Sequence, residues 1–189
     1  MRGLKDKVVI VTGGAGGIGK ATCCRFADEG AKVAIFDLNA EAAEAAAAEI
    51  KESGGVAEAV VVDLTDYEAV QKAVADTENS LGPIDVLVNN AGWDRFTPFL
   101  KTEPDFWQKL IGINLLSVLN MSHVVVAGMA ERGSGRVVNV ASDAGRVGSS
   151  GESVYAACKG GIIAFTKTLA REHARQGLTF NTVCPGLTE

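Results

Sequence analysis

Short apolar, β-branched runs alternate with longer stretches of helical periodicity along the whole chain. Val8-Val9-Ile10-Val11 has no polar residue between its apolar ones, which predicts a strand buried on both faces. A glycine-rich loop follows, and then a helix over 17–29. Further strands are expected at 32–36, 60–62, 85–88, 136–140 and 179–183. Helices are expected over 40–53, from Thr65 onward, over 103–131 and over 154–176. Gly54-Gly55 closes the second helix, and Thr65 is a suitable N-cap for the third. Each strand is followed by a helix long enough to carry the chain back across the sheet. The pattern therefore reads as one domain over 1–189, of the α/β class: a doubly wound parallel sheet in three layers, α/β/α. The Ala45 to Ala48 run fits helix propensity and close packing better than any chemistry.

Composition narrows the classes of function. With 47% hydrophobic and 22% charged residues, the chain resembles an ordinary globular domain. A net charge of −5 argues against nucleic acid or an anionic membrane as a partner. No apolar run reaches the roughly 18 residues of a membrane span. The N-terminal residues lead directly into the first strand without a secretory apolar segment, so a cytoplasmic location is expected. Cys23, Cys24, Cys158 and Cys184 match no zinc or redox spacing; four plain thiols and no metal site are expected.

Candidate chemistry collects at the carboxyl ends of the strands, where ligands bind in such sheets. Thr12-Gly13-Gly14-Ala15-Gly16-Gly17-Ile18-Gly19 joins the first strand to the first helix. Glycines there let the backbone approach a pyrophosphate, which sits on the positive helix N-terminus; Gly13, Gly17, Ile18 and Gly19 are the candidates. A tight turn alone also calls for glycine. Asp37, 18 residues after Gly19, can accept both hydroxyls of an adenosine ribose and repel a 2′-phosphate. With Leu38 beside it and no basic residue to hold that phosphate, NAD is favoured over NADP. The alternative is that Asp37 caps the next helix, a role Asn39 can also fill. Asp63-Leu64 and Asn89-Asn90-Ala91-Gly92 end the third and fourth strands; each reads as a turn or as part of a cofactor edge.

Tyr155 and Lys159 lie four apart on one helix face, and Ser142 ends the strand before that helix. A lysine ammonium and an oxidised nicotinamide would favour the phenolate and lower the tyrosine. Tyr155 can then exchange a proton with an alcohol while Ser142 holds the oxygen and Lys159 also meets the nicotinamide ribose. Asn114 interrupts the apolar stretch 110–116, where a buried amide requires partners. It reads either as a local helix distortion or as a link in a proton relay ending at Lys159.

Together with Asp63, Asn90 to Gly92 and Pro185-Gly186, these residues resemble the signature of short-chain dehydrogenases/reductases along the whole chain. The resemblance implies a Rossmann-like fold, a catalytic tetrad of Asn114, Ser142, Tyr155 and Lys159, and cofactor contacts from Pro185 and Gly186. It also implies a homodimer or homotetramer formed through the two long helices. The glycine loop alone fits both the ordinary and the extended branch, whereas Ser142, Tyr155 and Lys159 with Asn89 to Gly92 resemble the ordinary one. Members of the family continue past Pro-Gly into a substrate lid and a seventh strand, so the chain is expected to be C-terminally incomplete at residues 187–189.

A narrower likeness runs through Trp93-Asp94, Lys101-Thr102-Glu103-Pro104, 141–152 and 169–175. These stretches are similar to dehydrogenases of 2-hydroxycyclohexane-1-carboxyl-CoA, which implies an acyl-CoA thioester as the small-molecule substrate. Arg95 and Arg146 fit either CoA phosphates or, better, solvated surface charge. A 3-oxoacyl-ACP reductase is the alternative enzyme, although that reaction usually runs on NADPH. A non-catalytic NAD-binding protein is the alternative from another class.

Overall fold

The computed structural model describes residues 3–186; the terminal residues 1, 2 and 187–189 lie outside it. Six parallel strands form one sheet in the order β3-β2-β1-β4-β5-β6. They are β1 (Val8–Thr12), β2 (Lys32–Asp37), β3 (Val56–Val61), β4 (Ile84–Asn89), β5 (Gly135–Val140) and β6 (Leu178–Val183). The order reverses between β1 and β4, which opens a crevice at their carboxyl ends. The fold is the doubly wound, Rossmann-like one expected.

Alternation within β1 shows how the layers are filled. Val8 and Ile10 face one side with Met121, Val125 and Met129 of α5 (Ser117–Arg132) and Val70 and Val74 of α3 (Tyr67–Leu81). Val9 and Val11 face the other, with Cys23 of α1 (Gly17–Asp28) and Ala43, Ala46, Ala47 and Ile50 of α2 (Ala40–Glu52). Each fully buried branched side chain contributes roughly 1.5–3 kcal/mol. The small alanines let α2 sit close to the sheet, as the alanine run suggested.

Continuous burial holds for β1 but not at the sheet margins. β3 is half exposed and begins at Val56, four residues before the apolar run at 60–62, because Glu58 and the alanines weaken that signal. β6 alternates buried and exposed positions. Thr65 is not the cap of α3; the Asp66 carboxylate accepts the Ala69 amide at 3.0 Å, while Thr65 donates to Asp63. α7 (Ser153–Glu172) stops short of the expected 176.

The largest correction concerns the expected helix over 103–131. It is built as α4 (Pro104–Ile111), a π-helical segment Gly112–Leu116, and α5. Within Pro104–Arg132 an 18-residue window has a mean hydropathy of 1.8, enough to pass for a membrane span despite the lack of an unbroken apolar run. Half of that window is buried in the protein, as expected of a core helix. A short α6 (Ala144–Val147) and a 3-10 turn at Phe99–Lys101 complete the helices among the described residues.

Candidate active site

A cleft of about 460 Å³ lies over the crevice, bordered by Gly13, Asp37, Leu38, Asp63, Leu64 and Gly92. Its floor is made by the backbone. A Cβ at Gly19 would lie 2.0 Å from the Gly13 carbonyl oxygen, and one at Gly13 would meet Ala91 Cα at 2.9 Å. At Gly13 and Gly19 the loop thus packs against itself and against the end of β4 with no room for a side chain. Asn90 fixes this approach, donating to the carbonyls of Thr12 and Gly13 at 3.0 and 3.1 Å. The Thr12 hydroxyl accepts the amides of Asn90 and Ala91. The Asn-Asn-Ala-Gly segment is therefore both a clamp on the glycine loop and a wall of the cleft.

α1 starts at Gly17 behind Gly16, whose N-cap position offers no side-chain acceptor. The first intrahelical acceptor serves Lys20, so the amides of Gly17, Ile18 and Gly19 remain free to meet an anion. Asp37 accepts the Ala15 amide at 3.1 Å and the Asn39 amide at 3.0 Å. It does not cap α2; Asn39 does, accepting the Ala42 amide at 3.1 Å. The carboxylate is held in place with lone pairs to spare, beside Leu38, which is 71% exposed. Asp63 accepts from both the amide and the hydroxyl of Thr65 and is held in the same rim.

A second pocket, of about 290 Å³, adjoins the cleft across Gly92 and holds Ser142, Tyr155, Lys159, Ile18, Pro185 and Gly186. Ser142 follows β5, and its oxygen accepts the Ala144 amide at 3.2 Å, which sets the turn into α6. The Asp143 amide donates to the Pro185 carbonyl at 2.9 Å, bringing Pro185-Gly186 alongside. Tyr155 and Lys159 come from successive turns of α7; Lys159 Nζ lies 5.5 Å from the Tyr155 ring centroid. Lys159 is buried and donates to the Val140 carbonyl at 2.9 Å. Burial lowers its ammonium to about 8.

The lowering expected of Tyr155 needs both the lysine and an oxidised nicotinamide; in the protein alone the phenol moves the other way. Burial raises the phenol above its ordinary value; the Ser142 hydroxyl pulls the other way, while Glu152 and Asp94 add to the rise. A lysine that itself gives up charge readily exerts little counterpull.

Asn114 sits within a local helix distortion. Its amide inserts into the helical ladder, donating to the Leu110 carbonyl at 3.0 Å and the Trp93 carbonyl at 2.7 Å. Its oxygen accepts the Trp93 amide at 3.1 Å. Fully buried, it faces Lys159 across Gly92, whose absent Cβ would touch Asn114 Oδ1 at 3.0 Å and Lys159 Nζ at 3.3 Å. The π segment is what turns this side chain toward the pocket.

Arg146 pairs with Asp143 at 2.8 Å, and the Arg95 guanidinium lies 4.9 Å over the Phe106 ring. Both are engaged locally. All four cysteines are free; burial lifts Cys23 to about 12 and also raises Cys158, partly offset by Lys159. Such thiols are poor nucleophiles.

Two features were missed in the sequence. Asn89 donates to Asn139 at 2.8 Å and Asn139 to Thr166 at 2.8 Å, a buried polar chain joining β4, β5 and α7 behind the pocket. Asparagines inside apolar strands were the available signal. The other is the acidic pair Asp94 and Glu152 in the pocket wall.

Comparison with known proteins assigns the family. Residues 7–189 match the short chain dehydrogenase family. The chain belongs to it. An acetoacetyl-CoA reductase of Rhizobium meliloti is 41% identical over 182 residues, spanning 96% of this chain and 73% of the relative. A 3-oxoacyl-[acyl-carrier-protein] reductase of Synechocystis is also 41% identical, over 187 residues, 98% of this chain and 76% of the relative. The structure superimposes on NAD+-bound xylitol dehydrogenase with a TM-score of 0.95 at 37% identity, covering 98% of this chain and 72% of that one. Short-chain dehydrogenase membership makes the protein an oxidoreductase acting on alcohol or keto groups with a nicotinamide cofactor. These relatives correct the narrower resemblance: they are acetoacetyl-CoA and 3-oxoacyl-ACP reductases, not specifically 2-hydroxycyclohexanecarboxyl-CoA dehydrogenases.

Proposed function

We propose that the protein is an NAD-dependent oxidoreductase interconverting a secondary alcohol and a ketone on an acyl thioester of the 3-hydroxyacyl type. The convergence of Ser142, Tyr155 and Lys159 on one pocket beside the glycine-loop cleft carries this reading. The cleft suits a dinucleotide: free amides of Gly17 to Gly19 for the pyrophosphate, Asp37 for the adenosine diol, Leu38 as an apolar rim. Bound there, NAD(H) accepts or supplies a hydride. Asp37 favours NAD, since a 2′-phosphate beside it would meet like charge.

Ser142 holds the substrate oxygen, and Tyr155 exchanges the proton with it. Burial raises the phenol above its ordinary value, and in the reductive direction Tyr155 gives its proton to the substrate oxygen. Lys159, restrained by Val140, replenishes that proton, and Asn114 lies across Gly92 from it as the next position of a relay. The reductases among the relatives support a β-oxoacyl thioester, carried by CoA or by acyl-carrier protein. 2-Hydroxycyclohexanecarboxyl-CoA belongs to the same chemical type.

The test is a panel of 3-hydroxyacyl and 3-oxoacyl thioesters, including 2-hydroxycyclohexanecarboxyl-CoA, each assayed with both cofactors. Turnover of acyl-CoA thioesters with NAD(H) is expected. Turnover restricted to acyl-ACP with NADPH would favour the second reading, a 3-oxoacyl-ACP reductase. No turnover of any thioester would sink both.

A further inference from the structure

Asp94 takes no part in the tetrad, and its surroundings are unusual for a carboxylate. Both of its carboxyl oxygens are buried without a hydrogen bond of normal geometry, and the Arg95 amide is the one donor that pulls on the carboxylate. Its cationic neighbours are engaged elsewhere: Arg95 lies over the Phe106 ring, and the Lys109 ammonium sits 4.2 Å above the Trp93 ring. The group that faces it is another acid, Glu152. Chain geometry brings the two together. The Asn114 amide grips both polar atoms of the Trp93 peptide, and the Thr97 amide donates to the Gly151 carbonyl at 2.8 Å. Asp94 is thus held on one side of the pocket mouth, with Glu152 just beyond the Gly151 turn.

Two ionised carboxylates in such a place repel, and neither can donate to the other. A hydrogen bond between them exists only when one carries a proton. Burial, then Glu152, pushes Asp94 above the usual carboxylate range, against the pull of the Arg95 amide. Both residues line the same pocket as Ser142 and Tyr155, so whatever group flanks the reacting carbon of the substrate meets them.

We propose that Asp94 and Glu152 share one proton in the pocket wall, and that this pair selects substrates by charge, admitting a neutral acyl thioester and rejecting the corresponding free carboxylate. The shared proton is the donor for the thioester carbonyl, and the negative charge left on the pair repels a carboxylate. The two acids are specificity residues; proton exchange with the substrate oxygen stays with Tyr155. This inference rests on the function proposed above and deepens it by accounting for thioester over free acid.

Two measurements test it. In infrared spectra at neutral pH, the unmodified protein should show a carboxylic-acid carbonyl band that disappears in both Asp94→Asn and Glu152→Gln, because a lone remaining acid ionises. Its absence from the unmodified protein overturns the shared proton, whether or not the enzyme is active. In calorimetric titrations of the NADH complex, 3-hydroxybutyrate should bind more weakly than its neutral methyl ester. Each single variant still leaves one ionised acid, so only Asp94→Asn combined with Glu152→Gln removes the charge, and that double variant should narrow the preference by about tenfold. An equal preference in the unmodified protein and the double variant, with the infrared band present in the former, overturns charge selection. Failure of the proposed function shows itself separately, as absence of thioester turnover by the unmodified protein, and leaves both readouts intact.

Discussion

The two halves of the site are built in opposite ways. In the cleft over the glycine loop, the surface is main chain, and nearly every side chain nearby is already satisfied: Asn90 by the Thr12 and Gly13 carbonyls, Asp37 by two amides, Asp63 by Thr65. In the Tyr155 pocket, side chains are held under electrostatic tension. Lys159 is buried with one carbonyl partner, Tyr155 is raised by burial and two acids, and Asp94 is buried beside Glu152 with the Arg95 amide pulling against the rise. The first half resembles a rigid cradle whose shape matters. In the second, the state of protonation matters, and cofactor and substrate complete it.

The comparison makes opposite demands on substitutions. The largest effect should come from the pocket, where Tyr155→Phe removes the proton donor but little volume. Turnover should fall roughly 10²- to 10⁴-fold while NADH affinity, followed by fluorescence titration, stays nearly unchanged. Unchanged turnover would overturn the assigned acid. In the cradle, Gly19→Ala should do the reverse. Its Cβ has no room against Gly13, so the loop must move. NADH affinity should drop by about tenfold or more, and stability to urea by roughly 1–3 kcal/mol. Normal NADH binding by this variant would mean that the cradle is not rigid.

Replacing Asp37 with Ala and Leu38 with Arg should shift the ratio of affinities from NAD toward NADP by about tenfold, since it removes a like charge and adds an opposite one. Equal affinity of the unmodified protein for the two cofactors would refute the role given to Asp37.

A separate effect concerns stability. The folded value of Lys159 is depressed to about 8, so the unfolded chain binds its proton more tightly. This penalty is fully present below about pH 8 and is relieved as pH rises from there to the ordinary lysine value of about 10.4. At pH 7 the buried charge costs about 3 kcal/mol. Lys159→Met removes that cost but orphans the Val140 carbonyl, at about 1 kcal/mol, for a net gain of roughly 2 kcal/mol in urea unfolding. A less stable variant would place Lys159 among structural contributors rather than strained functional ones.

The cradle was largely legible in the sequence because its requirements are local: glycines at fixed intervals after an apolar strand, an acid at the end of the next. The strands read poorly where they meet solvent. β3 was truncated because Glu58 lies on its open face, a matter of sheet position rather than propensity. Ser142, Tyr155 and Lys159 were found through their spacing, but Tyr155 is raised first by burial, with Glu152 and Asp94 adding to the rise. Those acids come from distant segments, and only a tertiary contact between Thr97 and Gly151 joins them. The pairing of Asn89 with Asn139 and of Asn139 with Thr166 went unread for the same reason, since the partners lie on other elements.

The π segment at Gly112–Leu116 has a consequence for tolerance to change in length. A π turn holds one residue more than an α turn, and each residue in a helix rotates the following face by about 100°. α4 and α5 therefore run on different phases, which is why a single periodicity fitted over 103–131 misses the break. Deleting one residue from the segment would restore a regular helix and could leave the buried face of α5 as it is. It would also withdraw Asn114 from the Trp93 peptide, and with it the anchor of the loop that carries Asp94. At this point a one-residue deletion is gentle to the fold and severe to the pocket, whereas a one-residue insertion further along α5 would rotate its core face away from the sheet.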